Sequence, residues 1–112
     1  MGNTLKLLAA PAYLAATSEN VYVPSSALLF GVVRHIHVAN VTNAAATFSL
    51  FIGATGAEAA GTQLTSVLSV AAYGTWDYYG ALKLSSAQFL VGVCETGASK
   101  LTISVEGEEG VV

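Results

Sequence analysis

Hydrophobic and polar positions alternate along short segments of this chain, which is the pattern of half-buried β-strands. In residues 47–52, Phe48, Leu50 and Ile52 occupy every second position, and residues 101–106 repeat this period of two. The segments contain many β-branched and aromatic residues, and Gly, Ser and Asn separate them at short intervals. No run of eleven or more residues has the period of an amphipathic helix. The pattern therefore predicts an all-β protein.

About seven or eight short strands are predicted, with turn signals every 8–12 residues. This spacing indicates a single antiparallel β-sandwich, either jelly-roll-like or immunoglobulin-like, or a small barrel. We expect an extended N-terminal arm at 1–24, a sandwich domain at 25–107 and a short tail at 108–112, and a helical turn within 7–16 is an alternative for the arm. The clear strand patterns lie at 29–41, 47–52, 64–70, 75–84, 88–95 and 100–106, with a Gly/Ala loop at 53–61 and a hairpin loop at 96–99. Within the arm, 6–8 and 13–15 flank Pro11 as a short, loosely defined segment, and 21–24 is extended because the residue before a proline is disfavoured in a helix.

The strand predicted at 29–41 carries two histidines on one face. Strict alternation places Arg34 with Ile36 on one face, and His35 and His37 with Val33 on the other. In the strand at 75–84, Gly80 indicates a bulge or a close approach of another group.

The two histidines at this spacing can present two imidazoles to one metal ion. A metal site needs further ligands, and none lies nearby in sequence; pairing across strands with Glu95 or Asp77 stays open. We interpret His35 and His37 as exposed or interface residues, and we predict no metal site and no cofactor.

Four large aromatic residues lie within seven positions. Alternation directs Trp76 and Tyr78 to one face, and Tyr73 and Tyr79 towards the other. Tyr and Trp are favoured at interfaces because they bury a large area and keep a polar group. A core with ordinary surface, a protein interface and a carbohydrate-stacking platform are the three interpretations. The predicted interface residues are Tyr73, Trp76, Tyr78, Tyr79, Tyr22 and Val23.

Candidate catalytic residues are few, and we predict that the protein is not an enzyme. Cys94, the single cysteine, lies in an apolar strand and is expected to be a buried, inert thiol. One cysteine excludes an intramolecular disulfide and a Cys-rich zinc site. Asp77 is the only aspartate, and no second carboxylate lies near it in sequence. The acidic segment 106–110 is interpreted as a solvated tail.

Composition narrows the class of partner. The 112 residues are 54% hydrophobic and only 10% charged, with a formal net charge of −3. Four scattered basic residues cannot form the stripe that neutralises phosphates, so nucleic-acid binding is not expected. No uninterrupted apolar run reaches the roughly 18–20 residues of a membrane span. Many outward positions are nevertheless Ala, Ser, Thr, Val or Tyr, which predicts that copies of the chain or a larger assembly cover them.

The order of these features resembles that of small β-sandwich virion proteins of tailed bacteriophages, in particular decoration proteins. The resemblance covers roughly residues 21–107. It rests on a Val-Pro-Ser-Ser lead-in at 23–26, an Asn/Thr turn with an alanine-rich strand at 38–50, a Trp/Tyr strand ending at 82–86, and a closing hairpin of 89–93 with 101–106. It implies a module on the capsid exterior, neck or tail, commonly a trimer that cements capsomers. No functional residue carries over.

The resulting hypothesis is a non-enzymatic structural protein at the surface of a phage particle. A capsid decoration or cementing protein is preferred, acting as a homotrimer against the major capsid protein or other virion proteins, with no nucleic-acid or membrane contact. A tail or neck component is one alternative. The other is a lectin-like module in which Trp76, Tyr78 and Tyr79 stack on sugar rings and Asp77 supplies a polar neighbour.

Overall fold

The structure, a computed structural model, describes residues 4–24, 26–53 and 63–111. Within these ranges the chain forms eight strands and no helix, which confirms the all-β prediction. Most of the predicted 53–61 loop lies outside the described residues. The strands are β1 (Thr4–Tyr13), β2 (Glu19–Tyr22), β3 (Leu29–Asn40), β4 (Ala46–Gly53), β5 (Gln63–Val70), β6 (Thr75–Leu84), β7 (Phe89–Cys94) and β8 (Leu101–Val111).

The strands form two four-stranded antiparallel sheets that pack together as a sandwich. Sheet I has the order β1-β8-β3-β6 and sheet II the order β2-β7-β4-β5. The pairs β1/β8, β2/β7, β3/β6 and β4/β5 are nested and alternate between the two sheets. A long hairpin folded across itself produces this order, which is the jelly-roll arrangement. The strand order thus decides between the two sandwich types that the sequence left open.

The N-terminal segment differs from the predicted arm. β1 pairs with β8 from Thr4, opposite Glu109, to Tyr13, opposite Thr102. β2 pairs with β7 in the other sheet, and β8 continues to Val111 through most of the predicted tail. Two register shifts and several alanines interrupt the alternation in β1. The local pattern is therefore too weak to show that this segment pairs with the end of the chain.

Apolar side chains from both sheets fill the space between them. Cys94 belongs to this core and is fully buried, as predicted. A second, smaller cluster of Phe51, Val91 and Val93 packs with Phe89. The largest fully buried core residues are Leu14, Val33, Ile36, Val38, Phe48, Leu50, Leu84, Leu90, Leu101 and Val105.

A bulge in the middle of β3 changes which side chains face the core. Val33 pairs with Gly107 of β8, but His35 pairs with the adjacent Glu106, so β3 has one extra residue at Arg34. Val33 and Ile36 are consequently both fully buried although they are three positions apart. The predicted strict alternation, which puts Arg34 on the face of Ile36 and Val33 on the face of His35, is wrong here.

The physical reason is the charge of Arg34, because an unpaired buried guanidinium is costly. The bulge leaves Arg34 exposed, where its Nε donates to Glu108 Oε2 at 2.7 Å. Opposite the same point, β6 also gains one residue between Tyr79 and Leu82. This is the position at which Gly80 predicts a bulge.

A buried amide organises the corner where β3 ends. Asn40 is 3% exposed. Its Nδ2 donates to the carbonyl oxygens of Ala44 at 2.8 Å and Val70 at 3.0 Å. Its Oδ1 accepts from the backbone N–H and the hydroxyl of Thr42. One side chain therefore joins the turn after β3 to the end of β5.

Replacing Asn40 by Ala should destabilise the fold by about 2–3 kcal/mol, because it leaves buried carbonyl and amide groups without partners. Urea unfolding monitored by tryptophan fluorescence measures the change. Asn43→Ala, the same substitution at an exposed position of the same turn, is the control and should change stability by less than about 0.5 kcal/mol. Equal effects of the two substitutions would contradict the assigned role of Asn40.

Candidate functional site

Four titratable side chains meet on the outer face of sheet I, and we call them the histidine cluster: His35, His37, Asp77 and Glu106. Strand register brings them together, since His37 lies directly opposite Asp77 of β6 and His35 lies opposite Glu106 of β8. Directly opposed residues of antiparallel strands project from the same face. The bulge at Arg34 sets the register of both pairings.

Asp77 Oδ1 lies at the centre of the cluster. It is 2.7 Å from His35 Nε2 and 2.7 Å from His37 Nδ1. The other ring nitrogen of His35, Nδ1, is 3.2 Å from Glu106 Oε1. The imidazole of His35 stacks on the ring of Tyr79, with a centroid distance of 4.4 Å and an interplanar angle of 6°. Two carboxylates and one aromatic ring therefore fix the orientation of His35.

The carboxylates change the protonation of the cluster. The hydrogen bond to Asp77 is the main cause that raises the pKa of His35, and the hydrogen bond to Glu106 adds to it. The hydrogen bonds from His35 and then from His37 lower the pKa of Asp77. With both ring nitrogens facing carboxylate oxygens, the imidazolium form of His35 can donate two hydrogen bonds at once.

The predicted interface aromatics separate into two groups. Trp76 and Tyr78 pack against the core, and Trp76 meets Phe48 edge-on at a centroid distance of 5.2 Å. Tyr73 and Tyr79 are 71% and 74% exposed. Within β6, Trp76 and Tyr79 face opposite sides as predicted, whereas Tyr73 lies in the turn before the strand. Tyr79 is the member that joins the histidine cluster.

Tyr22 and Val23, the other two predicted interface residues, also differ in burial. Tyr22 is 5% exposed, and its hydroxyl donates to Glu109 Oε2 at 2.6 Å. Lys6 Nζ donates to the other oxygen of Glu109 at 2.9 Å. Burial, with the hydrogen bond to Glu109 second, raises the pKa of Tyr22 well above its ordinary value. Tyr22 thus links sheet II to sheet I, whereas Val23 is 39% exposed.

The two candidate partners of the histidines have different positions. Asp77 joins them, as described above. Glu95 lies just after β7 of sheet II and accepts a hydrogen bond from Ser49 Oγ at 2.5 Å. The sequence places Glu106 both at the end of the alternating strand 100–106 and at the start of the acidic segment 106–110. Its place in a strand of alternating residues indicated an outward side chain, but not that its strand pairs with the strand of the histidines.

Comparisons of the chain with family models, curated proteins and solved structures found no match. The resemblance to tailed-phage virion proteins therefore stays a prediction. In the part of the chain that the structure describes, no helix is long and apolar enough to cross a membrane.

The histidine cluster predicts a raised pKa for His35 in the metal-free protein. An NMR titration of the imidazole resonances in the presence of EDTA should give a value above the ordinary histidine pKa of about 6.5. Asp77→Asn keeps the shape of the side chain but removes its charge, so it should lower the pKa of His35.

Glu108→Gln is the control for this titration, because it removes a carboxylate of the same face that bonds Arg34. It should change the pKa of His35 by much less than Asp77→Asn does. A His35 pKa at or below the ordinary value, or equal shifts in the two variants, would contradict the geometry of the cluster.

Proposed function

We propose that this protein is a non-enzymatic structural protein that acts through contacts between copies of its own chain and with neighbouring proteins. The preferred role is a capsid decoration or cementing protein of a phage particle, working as a homotrimer. The observation that carries the proposal is a surface with many large apolar side chains and few charges. The exposed large hydrophobic residues are Leu5, Leu7, Tyr13, Val23, Leu28, Val41, Val67, Tyr73, Tyr79 and Val111.

The outer face of sheet I, at its β1 edge, is the favoured contact surface. Leu5 and Leu7 are 76% and 51% exposed. They lie opposite Glu108 and Glu106 of β8 and so project from the same face as the histidine cluster. Burial of a leucine side chain contributes about 1.5–3 kcal/mol. A few such residues from each copy supply a substantial part of the association free energy of a small oligomer.

The shape of β1 favours packing of side chains over pairing of backbones. β1 is an edge strand, and an unprotected edge can add strands without limit. Pro11 lacks an N–H, and two register shifts interrupt the strand near it. These features make β1 a poor partner for a strand of another molecule. A closed oligomer assembled through Leu5 and Leu7 is therefore favoured over an open β-stack.

The jelly-roll strand order also supports the proposal, because viral capsid domains commonly use this architecture. Lectin domains use it too, so the fold supports the class without assigning a partner. The virion location and the capsid partner rest on the resemblance of the sequence, and a tail or neck position satisfies the same observations.

The carbohydrate-binding alternative needs Trp76, Tyr78 and Tyr79 on one exposed platform. Trp76 and Tyr78 contact the core instead, and Tyr79 is the exposed ring of the three, stacked on His35. The aromatic residues thus give this alternative less support than the exposed apolar residues give the structural role.

Light scattering across a range of protein concentrations tests the proposal. The expected result is a closed oligomer of fixed mass. For the proposed homotrimer this mass is three times the chain mass of 11.4 kDa. The double variant Leu5→Lys/Leu7→Lys should shift the protein to monomer, because association would bury two charges on each copy.

Val67→Lys is the matched control, since it makes the same kind of change at a 58% exposed position of β5 in sheet II. It should leave the mass of the oligomer unchanged. A monomer at all concentrations would overturn self-association, and equal dissociation by both variants would overturn the assignment to the β1 edge.

A further inference from the structure

The histidine cluster contains a set of donor atoms that the proposed structural role does not use. His35, His37 and Asp77 each offer one ligand atom, and these atoms all lie within 4.8 Å of one another. Asp77 Oδ1 contacts His35 Nε2 and His37 Nδ1 directly. Two imidazole nitrogens with one carboxylate oxygen are ligands that suit zinc, copper, nickel and iron. We propose that these three residues bind one divalent transition-metal ion, with Zn²⁺ as the representative ion. This departs from the expectation of no metal site, which rested on the absence of a third ligand nearby in sequence.

The distances are close to those that a metal ion requires. Metal–nitrogen and metal–oxygen bonds of about 2.0–2.1 Å in a tetrahedral site place the ligand atoms about 3.3–3.4 Å apart. Asp77 Oδ1 is 2.7 Å from each nitrogen. Asp77 therefore needs to withdraw by about 0.6 Å from each nitrogen, and the two nitrogens, which lie within 4.8 Å of each other, need to approach by up to about 1.4 Å to admit the ion. The three side chains are between 24% and 40% exposed, so this movement displaces no core residue.

Glu106 supplies a second, independent indication. Metal-binding histidines usually donate their other ring N–H to a carboxylate, which fixes the tautomer and increases the basicity of the ligand nitrogen. His35 has this arrangement, with Nδ1 directed at Glu106 and Nε2 directed at the ligand set. Stacking on Tyr79 holds the plane of the same imidazole. Glu106 and Tyr79 are positioning residues in this assignment.

Metal binding displaces one proton from His35 when its imidazole is doubly protonated. The metal ion forms its bond with the lone pair of His35 Nε2, and a proton on that nitrogen leaves to solvent. Nδ1 keeps its proton and donates it to Glu106. Three protein ligands leave at least one coordination position open, as in zinc sites that hold a water molecule. The site is therefore an open surface site.

Isothermal titration with zinc chloride of the EDTA-treated, dialysed full chain tests the proposal. The expected stoichiometry is one ion per chain. Asp77→Asn and His37→Gln should each weaken binding by at least about 10-fold, because each removes one of three ligands. Addition of Co²⁺ should give the visible absorption of a tetrahedral complex, and the same variants should reduce it.

The positioning role of Glu106 has its own matched pair of variants. Glu106→Gln should weaken zinc binding by about 10-fold while keeping the stoichiometry. Glu108→Gln removes a carboxylate two residues along the same strand face, and should leave the affinity unchanged. Thermal unfolding without metal shows whether each variant is folded.

Three outcomes would overturn the proposal: absence of saturable zinc binding, wild-type affinity in folded Asp77→Asn, or zinc binding that persists when both histidines are replaced. None of them depends on the oligomeric state of the protein. Failure of the metal site is therefore distinguishable from failure of the structural role.

Discussion

The bulge at Arg34 is the local constraint on which the rest of sheet I depends. β3 pairs with both β8 and β6, so one extra residue in it resets the faces of both pairings. The bulge lets Val33 and Ile36 reach the core while Arg34 stays in solvent. Without it, Arg34 would share the face of Ile36, so burial of Ile36 would also bury the guanidinium and would turn Val33 to the outer face. The core and the histidine cluster therefore both follow from keeping one charge outside the sandwich.

The nested pairing of the strands accounts for the composition of the cluster. His35 contacts Asp77 and Glu106, which are 42 and 71 positions away in the chain. Such contacts exist only because β3 lies between β6 and β8 in the jelly-roll order. The same order brings Lys6 and Tyr22, from opposite sheets, to the two oxygens of Glu109. Lys6 and Glu109, which are far apart in the chain, thus form an ion pair because of the strand order.

The positions of most strands were predictable, because the alternation of apolar and polar residues is a local pattern that can be seen without knowing the strand pairing. The strand at 75–84 and the opposite faces of Trp76 and Tyr79 follow from it directly. The bulge at Arg34 was not predictable, because it depends on how β3 pairs with both β6 and β8, and the sequence does not show these pairings. The pairing of β1 with β8 was hidden for a related reason: Ala9, Ala10 and Ala12 carry little information on which face is buried. Half of the site was predictable: the spacing of His35 and His37 places them on one strand face. The position of Asp77 and Glu106 beside them follows only from the register of the neighbouring strands.

The two proposals concern the same face of sheet I, and charge connects them. Leu7 lies across the strand pair from Glu106, so a second copy that packs on Leu7 approaches the cluster. The carboxylates of Asp77 and Glu106 bring negative charge to the cluster. A divalent ion bound there offsets that charge. Because burial of a net charge opposes association, an occupied site makes this face less costly to cover. Metal binding and self-association would then support each other, although each stands on its own observation: the donor geometry for one, the exposed leucines for the other.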